Sequence, residues 1–319
     1  MLCLIQGANY DRRRRNHARS VTSPAGPRWN FLIELMTLSL ASSAVVLTTG
    51  SRPVELTAAL QSLENSGLSD RVIVWNSPSP PEQIAPDCFT VSAGQNLGIP
   101  GGRNFGVEHS TGDIVVFLDD DAEVLTTDLE NQIQDFFAKN PRCGALGFRI
   151  VDESGATMRR HNPRFGNRGV ATPGAVATFL GGACAIRRTA FDEVGRYDDT
   201  FFYSMEEQDL AWRLYAAGYF VYYQPNIVVR HPATPTTRHP EAVQRTWQNR
   251  VSAAIKSLPY LVLPFYLTAH GIRGLRNGLS LSWAIAQVAQ GLRERNEARN
   301  SMSWTTVIRL TKIGRPPIF

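Results

Sequence analysis

The chain has 319 residues, 43% hydrophobic and 19% charged, the make-up of a soluble globular protein with room for one large domain and an extension. Its four cysteines (Cys3, Cys88, Cys143, Cys184) are far apart and form no CxxC pair, which argues against a structural zinc site and fits reduced core thiols of a cytosolic protein. The net charge of +5 is unevenly spread: residues 1–30 carry six arginines and one aspartate, residues 31–237 carry 15 basic and 24 acidic side chains, and residues 238–319 carry 12 basic and 3 acidic. An acidic body with a basic tail suits a cation-using site beside an anionic surface or partner.

"RRRR" (12–15) followed by "FLIELMTLSLASSAVVLTT" (31–49) imitates a signal sequence or membrane anchor. Glu34 and the hydroxyl residues weaken that reading, and "SAVVLTTG" (43–50) has the pattern of the first strand of the fold. Residues 1–40 are therefore expected to be a disordered arginine-rich leader, or in part an overextended start with Met36 as the true beginning. The arginine run has no interleaved aromatics and reads as a solvated tail, so no nucleic-acid partner is expected.

Strands and helices then alternate. "AVVLTT" (44–49) is a buried strand, and Pro53 opens a helix over "VELTAALQSLENSG" (54–67). "RVIVWN" (71–76) is a second strand, followed by the loop "SPSPPEQIAP", and "CFTVS" (88–92) is a third. "GIPGGRNFGVEHS" (98–110) is a glycine-rich turn entering a helix, and "DIVVFL" (113–118) is the fourth strand. An amphipathic helix (128–141) and a strand (143–151) follow, then a polar, glycine-rich loop (152–177). "FLGGACAIRR" (179–188), a helix, "EEQDLAWRLYAAG" (206–218, helical) and the strand "FVYYQP" (220–225) complete the body. This order predicts an α/β fold with a mostly parallel sheet flanked by helices. Ligands bind such sheets beyond the carboxyl ends of strands, where Thr48–Arg52, Asn76 and Asp119–Asp121 fall.

From about Pro240 the pattern is helical. "LPYLVLPFYLTAHGI" (258–272) contains Pro259 and Pro264 and is 15 residues long. That is short of the roughly 20 apolar residues a spanning helix needs. It reads either as a segment lying in the membrane interface or as a helix packed on the body.

"VVFLDDDAEV" (115–124) ends a buried strand in three aspartates. Carboxylates so placed repel unless a cation joins them, and Mg²⁺ characteristically binds one or two carboxylates together with phosphates. The glycine and terminal glutamate of a calcium-binding EF-hand loop are missing. In "EEQDLAWR", Asp209 and Arg213 are spaced to pair along a helix. Glu206 and Glu207 are adjacent acids whose pKa values can separate, leaving one as a general base.

Seven segments in order resemble a family 2 glycosyltransferase, an inverting family with the GT-A (nucleotide-diphospho-sugar transferase-like) fold. They are "VVLTTGSRPVELTAALQSL", "RVIVWNS", "NLGIPGGRNFGV", "GDIVVFLDDDAEV", "FLGGACAIRRTAFDEVGRYDDTFF", "EEQDLAWRLYAAGY" and "HPATPTTRH". The pieces "GIPGGRN", "DDDAEV" and "HPAT" most resemble actinobacterial members acting in cell-envelope or polysaccharide synthesis. The resemblance implies a GT-A catalytic domain over 41–239 and a basic helical extension over 240–319. It implies that the backbone after the first strand, here Thr48, Thr49, Gly50 and Arg52, contacts the nucleotide base and ribose, and that Arg103, supported by Asn104, contacts the nucleotide or its phosphates. Asp119 would touch the ribose or the metal, Asp121 would ligate Mg²⁺ or Mn²⁺ directly, and Asp120 would face the base or a neighbouring backbone. Gly181 and Gly182 would let amides approach the donor sugar or acceptor. Glu207 would be the base, and Glu206 would orient it or bind acceptor hydroxyls. His231 would complete the metal shell or serve as a structural histidine. The second strand ends Trp75-Asn76 where the family often has Asp-Asn, so the donor nucleotide stays open.

The implied partners are a nucleotide-sugar, a glycan or lipid-linked acceptor and an anionic membrane surface, in the cytoplasm or on the inner face of the plasma membrane. A sugar-1-phosphate nucleotidyltransferase of related fold would carry a glycine-rich loop followed by Arg and Lys, which "TTGSRPVEL" lacks. A non-catalytic membrane-surface scaffold would leave two separated acidic clusters unexplained.

Overall fold

The computed structural model describes residues 40–79, 88–164, 169–232, 241–294 and 299–317. The expected leader, the Met36 start, Cys3, most of the proline-rich loop and the "ATPTTRH" part of the last motif lie outside these residues.

The elements in chain order are β1 (Ser42–Thr48), α1 (Pro53–Asn65), β2 (Arg71–Trp75), β3 (Phe89–Ser92), α2 (Gly98–Glu108), β4 (Ile114–Asp119), β5 (Glu123–Val124), α3 (Leu129–Lys139) and β6 (Cys143–Val151). They continue with β7 (Gly174–Val176), β8 (Ala183–Arg187), α4 (Arg188–Glu193), α5 (Glu206–Ala216), β9 (Phe220–Arg230), α6 (Ala242–Ser257), α7 (Leu263–Arg276), α8 (Leu281–Glu294) and α9 (Trp304–Lys312). The strands form one sheet in the order β3-β2-β1-β4-β8-β6-β9-β5, with β7 on β9. Pairs β1–β2, β1–β4, β2–β3 and β6–β9 are parallel, while β8 runs antiparallel to both β4 and β6.

Side chains alternate across each strand, so an unbroken apolar run must be covered on both faces. Val45, Val74, Val115 and Phe117 enter one core with residues of α2, α4, α5 and α6. Ala44, Val46, Ile73, Val116 and Leu118 enter the other with Leu56 and Leu63 of α1 and Ile133 and Phe137 of α3. Cys143 and Cys184 are free, buried thiols, and burial raises the pKa of both, as reduced core residues require.

Two expectations need correction. The stretch 152–177 is not wholly loop, since it contains a 3₁₀ turn at Arg159–His161 and strand β7. Strand β9 does not stop at Pro225. The β6–β9 register jumps between the pairs Phe148–Gln224 and Arg149–Val228, and this bulge absorbs the proline. The strand therefore runs on to Arg230 and delivers His231 to the ligand edge.

Helices α6 to α9 belong to the same compact unit, Leu38–Phe319. Trp247, Val251, Ala254, Ile255, Leu258 and Tyr266 join the core that covers α5. Tyr260, Leu261 and Phe265 stay 59%, 73% and 69% exposed. Among the described residues no helix is long and apolar enough to cross a membrane. Trp247→Ala is expected to cost about 3–5 kcal/mol in a single urea-unfolding transition, as for other buried large-to-small changes. An unchanged midpoint would mean that α6 is not part of the cooperative core.

Candidate active site

The parallel register places Leu47 opposite Asp119, so β1 and β4 end side by side. Thr48 donates from Oγ1 to Asp120 Oδ2 at 2.7 Å and accepts from the Gly50 amide at 3.0 Å. Arg52 lies 2.7 Å from Asp120 Oδ1 and also pairs with Asp121. Asp120 is 3% exposed; burial raises its pKa, against the pull of Thr48 and Arg52. It thus faces inward as a brace between β1 and β4. Thr49 is exposed, its hydroxyl 3.1 Å from that of Ser51. Gly50 has φ +80°, and a Cβ there would sit 2.2 Å from the Trp75 ring. Only glycine fits this turn over the indole.

Asn76, 3% exposed, accepts from the Leu97 amide at 2.8 Å and donates to Gly98 O at 3.0 Å and Asn96 Oδ1 at 3.2 Å. Its side chain organises the entry to α2.

Asp119, Asp121 and His231 bring one ligand atom each to within 4.8 Å of one another. His231 Nε2 lies 3.2 Å from Asp121 Oδ1 and 3.7 Å from Asp119 Oδ2, and its amide donates to Val151 O at 2.9 Å. Burial works against ionisation of Asp119, but the His231 hydrogen bond and the Arg103 charge outweigh it and hold the pKa at about 2. Two carboxylates and an imidazole so placed could hold a divalent cation.

The second acidic cluster opens α5. Burial, reinforced by repulsion from Glu207, pushes Glu206 up to about 8, although Arg103 opposes the shift. Glu206 is 3% exposed, and its burial favours the neutral form. Glu207 accepts from the Gly181 amide at 3.0 Å and faces a cavity of about 490 Å³. Between the clusters lies Arg103, 4% exposed, 3.1 Å from Asp119 Oδ1 and 3.7 Å from both Glu206 Oε1 and Glu207 Oε1. Its guanidinium rests 5.8 Å from the Phe117 ring centroid and 5.9 Å from that of Tyr197. Asn104 clamps the Tyr197 backbone, accepting from its amide at 3.1 Å and donating to its carbonyl at 2.9 Å. Arg103 Nη1 and Glu206 Oε2 are buried without a hydrogen-bond partner among the described residues.

The glycines at this junction make room for the chain's own acids. A Cβ on Gly182 would lie 2.1 Å from Asp119 Oδ2, and one on Gly181 would lie 2.1 Å from Arg103 Nη1 and 2.7 Å from Glu207 Oε1.

One positioning residue has no signal in the motifs. Phe202, Ser204 and Met205, just ahead of the glutamates, have φ of 55°, 73° and 74°. Non-glycine residues hold such angles only when their surroundings enforce them. Asn249 of α6, 8% exposed, sets its Nδ2 at 2.8 Å from the carbonyl oxygens of Phe201, Tyr203 and Ser204. A polar residue on a helix's buried face is the one hint in the sequence. Asn249→Leu is expected to lower turnover by about tenfold or more while nucleotide affinity holds, because stranded buried carbonyls cost about 1–3 kcal/mol each. Equal losses of turnover and nucleotide affinity, measured by kinetics and calorimetry, would refute this role.

Residues 43–195 match the family model for glycosyl transferase family 2. Among curated proteins, an uncharacterized protein of Haemophilus influenzae is 35% identical over 105 residues, 32% of this chain and 57% of that protein. The N-acetylglucosaminyl-diphospho-decaprenol L-rhamnosyltransferase of Mycobacterium tuberculosis is 42% identical over 64 residues, 19% of this chain and 21% of that protein. The chain thus spans less than two thirds of the length of these relatives. Among solved structures, GalNAc-T7 with UDP, GalNAc and Mn²⁺ superposes with a TM-score of 0.57 at 16% identity, over 79% of this chain and 57% of that one. Residues 1–349 of S. aureus TarS in complex with UDP superpose with a TM-score of 0.56 at 13% identity, over 82% and 83%. Residues 43–195 are a glycosyl transferase family 2 domain, set in a GT-A fold.

Proposed function

We propose that this chain moves a sugar, with inversion, from a nucleotide-sugar to an acceptor hydroxyl, using Mg²⁺ or Mn²⁺. The observation that carries the reading is the meeting of two acidic clusters on one guanidinium, with Asp119 3.1 Å from Arg103 and the two glutamates at 3.7 Å. The solved GalNAc-T7 complex, with UDP and Mn²⁺ in a similar fold, supports the donor class.

Asp121, Asp119 and His231 would hold the ion, which when bound supplies positive charge to the departing nucleotide diphosphate. The turn Thr48–Arg52 borders the place where the base and ribose would lie, with Thr49 and Ser51 exposed. Glu207 faces the cavity and takes the acceptor proton. As that proton leaves, the acceptor oxygen bonds to the anomeric carbon and the bond to the diphosphate breaks on the opposite face. Burial shifts Glu206 toward its neutral form, which limits the negative charge beside the base.

The acceptor is read as a cell-envelope glycan or lipid-linked sugar, with the chain docked on an anionic membrane face from the cytoplasmic side. Exposed Tyr260, Leu261 and Phe265, in a C-terminal stretch whose sequence carries 12 basic and 3 acidic residues over 238–319, support that docking.

Asp121→Ala and Glu207→Gln are each expected to cut metal-dependent transfer by about 10²–10⁴-fold in a screen of nucleotide-sugars. Near-normal turnover by Glu207→Gln would reject it as the base. Leu261→Glu with Phe265→Glu should release the protein from anionic vesicles in a sedimentation assay; full retention would reject the docking face.

A further inference from the structure

The cavity that Glu207 faces is lined by arginines that the transfer chemistry does not use. Arg159, Arg160, Arg164, Arg250, Arg273 and Arg315 all line it, against the single carboxylate of Glu207. Of the other described arginines, Arg52, Arg71, Arg103, Arg196, Arg213, Arg230 and Arg245 each meet a carboxylate, while Arg142, Arg149, Arg187, Arg188, Arg276, Arg293, Arg299 and Arg309 form no ion pair among the described residues but are not gathered in one cavity. None of the six cavity arginines forms such an ion pair among the described residues.

Their hydrogen-bond partners among the described residues are not carboxylates. Arg250 donates to the Tyr266 hydroxyl at 2.9 Å and sits 3.2 Å from His270 Nε2. Arg164 donates to Thr172 O at 3.0 Å, and Arg315 donates to Pro163 O at 3.3 Å. Burial, together with the charges of Arg250 and Arg273, lowers the pKa of Arg315 below its ordinary value. A fold that gathers like charges without acids to offset them has left the offset to a ligand.

We propose that this cavity binds the phosphate or diphosphate of an anionic acceptor and so brings the acceptor hydroxyl to Glu207. The inference rests on the reading of Glu207 as the base. Guanidinium forks match the oxygens of a phosphate in pairs, and several can share one dianion. The donor diphosphate is not the occupant, because Asp119, Asp121 and His231 do not line this cavity. Arg250, Arg273 and Arg315 come from α6, α7 and the segment after α9, so the C-terminal helices supply half of the site. The phosphate has two possible carriers, a lipid diphosphate or a soluble phosphorylated glycan.

The test is calorimetric titration of the full chain with inorganic pyrophosphate in EDTA, where no metal bridges the probe to Asp121. One site is expected, and Arg250→Gln with Arg315→Gln should weaken it by about tenfold or more. Arg273→Gln, at an exposed position, should weaken it by about threefold and guards against a misfolded double variant. Binding of UDP with Mn²⁺ should change by less than about twofold in all variants. Pyrophosphate binding that is absent from the wild type or unchanged in the variants overturns the proposal. A parallel loss of UDP also overturns it, by assigning the arginines to the donor. Geranyl diphosphate separates the carriers: tighter binding than pyrophosphate supports a lipid diphosphate, and equal binding supports a soluble glycan. Pyrophosphate bound at these arginines in a chain that transfers no sugar would sink the transferase reading alone. Equal transfer to neutral and phosphorylated acceptors would sink the anion site alone.

Discussion

Arg103 is the interaction on which the site depends. It is 4% exposed, yet it stays charged because the acids around it, Asp119 first among them, more than offset the cost of its burial. Without it, carboxylates from β4 and α5 would meet across the glycines at 181 and 182 with nothing to separate them. Arg52 serves Asp120 and Asp121 in the same way. Two guanidinium groups facing five carboxylates leave an excess of negative charge. That excess is what a divalent cation arriving with a diphosphate would neutralise.

The fold exists to hold this charge pattern in place. Strand β8 runs antiparallel to β4, so Gly182 lies beside Asp119, and Asp119 N donates to Gly182 O at 3.1 Å. The bulge at Pro225 lets β9 reach His231. Asn249 fixes the strained turn that aims the glutamates, so α6 serves the site as well as the core. Lys256, also on α6, lies 3.6 Å from the fully buried Asp209, which pairs with Arg213 at 2.6 Å. The C-terminal helices are thus coupled to the acidic motif at two points.

Much of this was legible in the sequence. The alternating strands, the aspartates at the end of β4 and the glutamates opening α5 are local patterns, and local patterns survive without coordinates. The direction in which polar residues at strand ends face is set by neighbours far away in the chain, and it was not legible. Thr48, Asn76, Asp120 and Arg103 all fall at the ligand edge, yet their side chains brace the site from within. The glycines at 181 and 182 similarly accommodate the chain's own acids. Asn249 acts on carbonyls more than 40 residues earlier, and the cavity arginines come from separate segments, so no motif could reveal them.

The separate duties of the two acidic clusters can be read from Mn²⁺ binding in the presence of UDP, followed by electron paramagnetic resonance. Binding should be lost in Asp121→Ala and kept in Glu207→Gln if, as proposed, the first removes a metal ligand and the second removes the base. Mn²⁺ binding that survives Asp121→Ala, or that falls equally in both variants, would show that the clusters do not divide the work in this way.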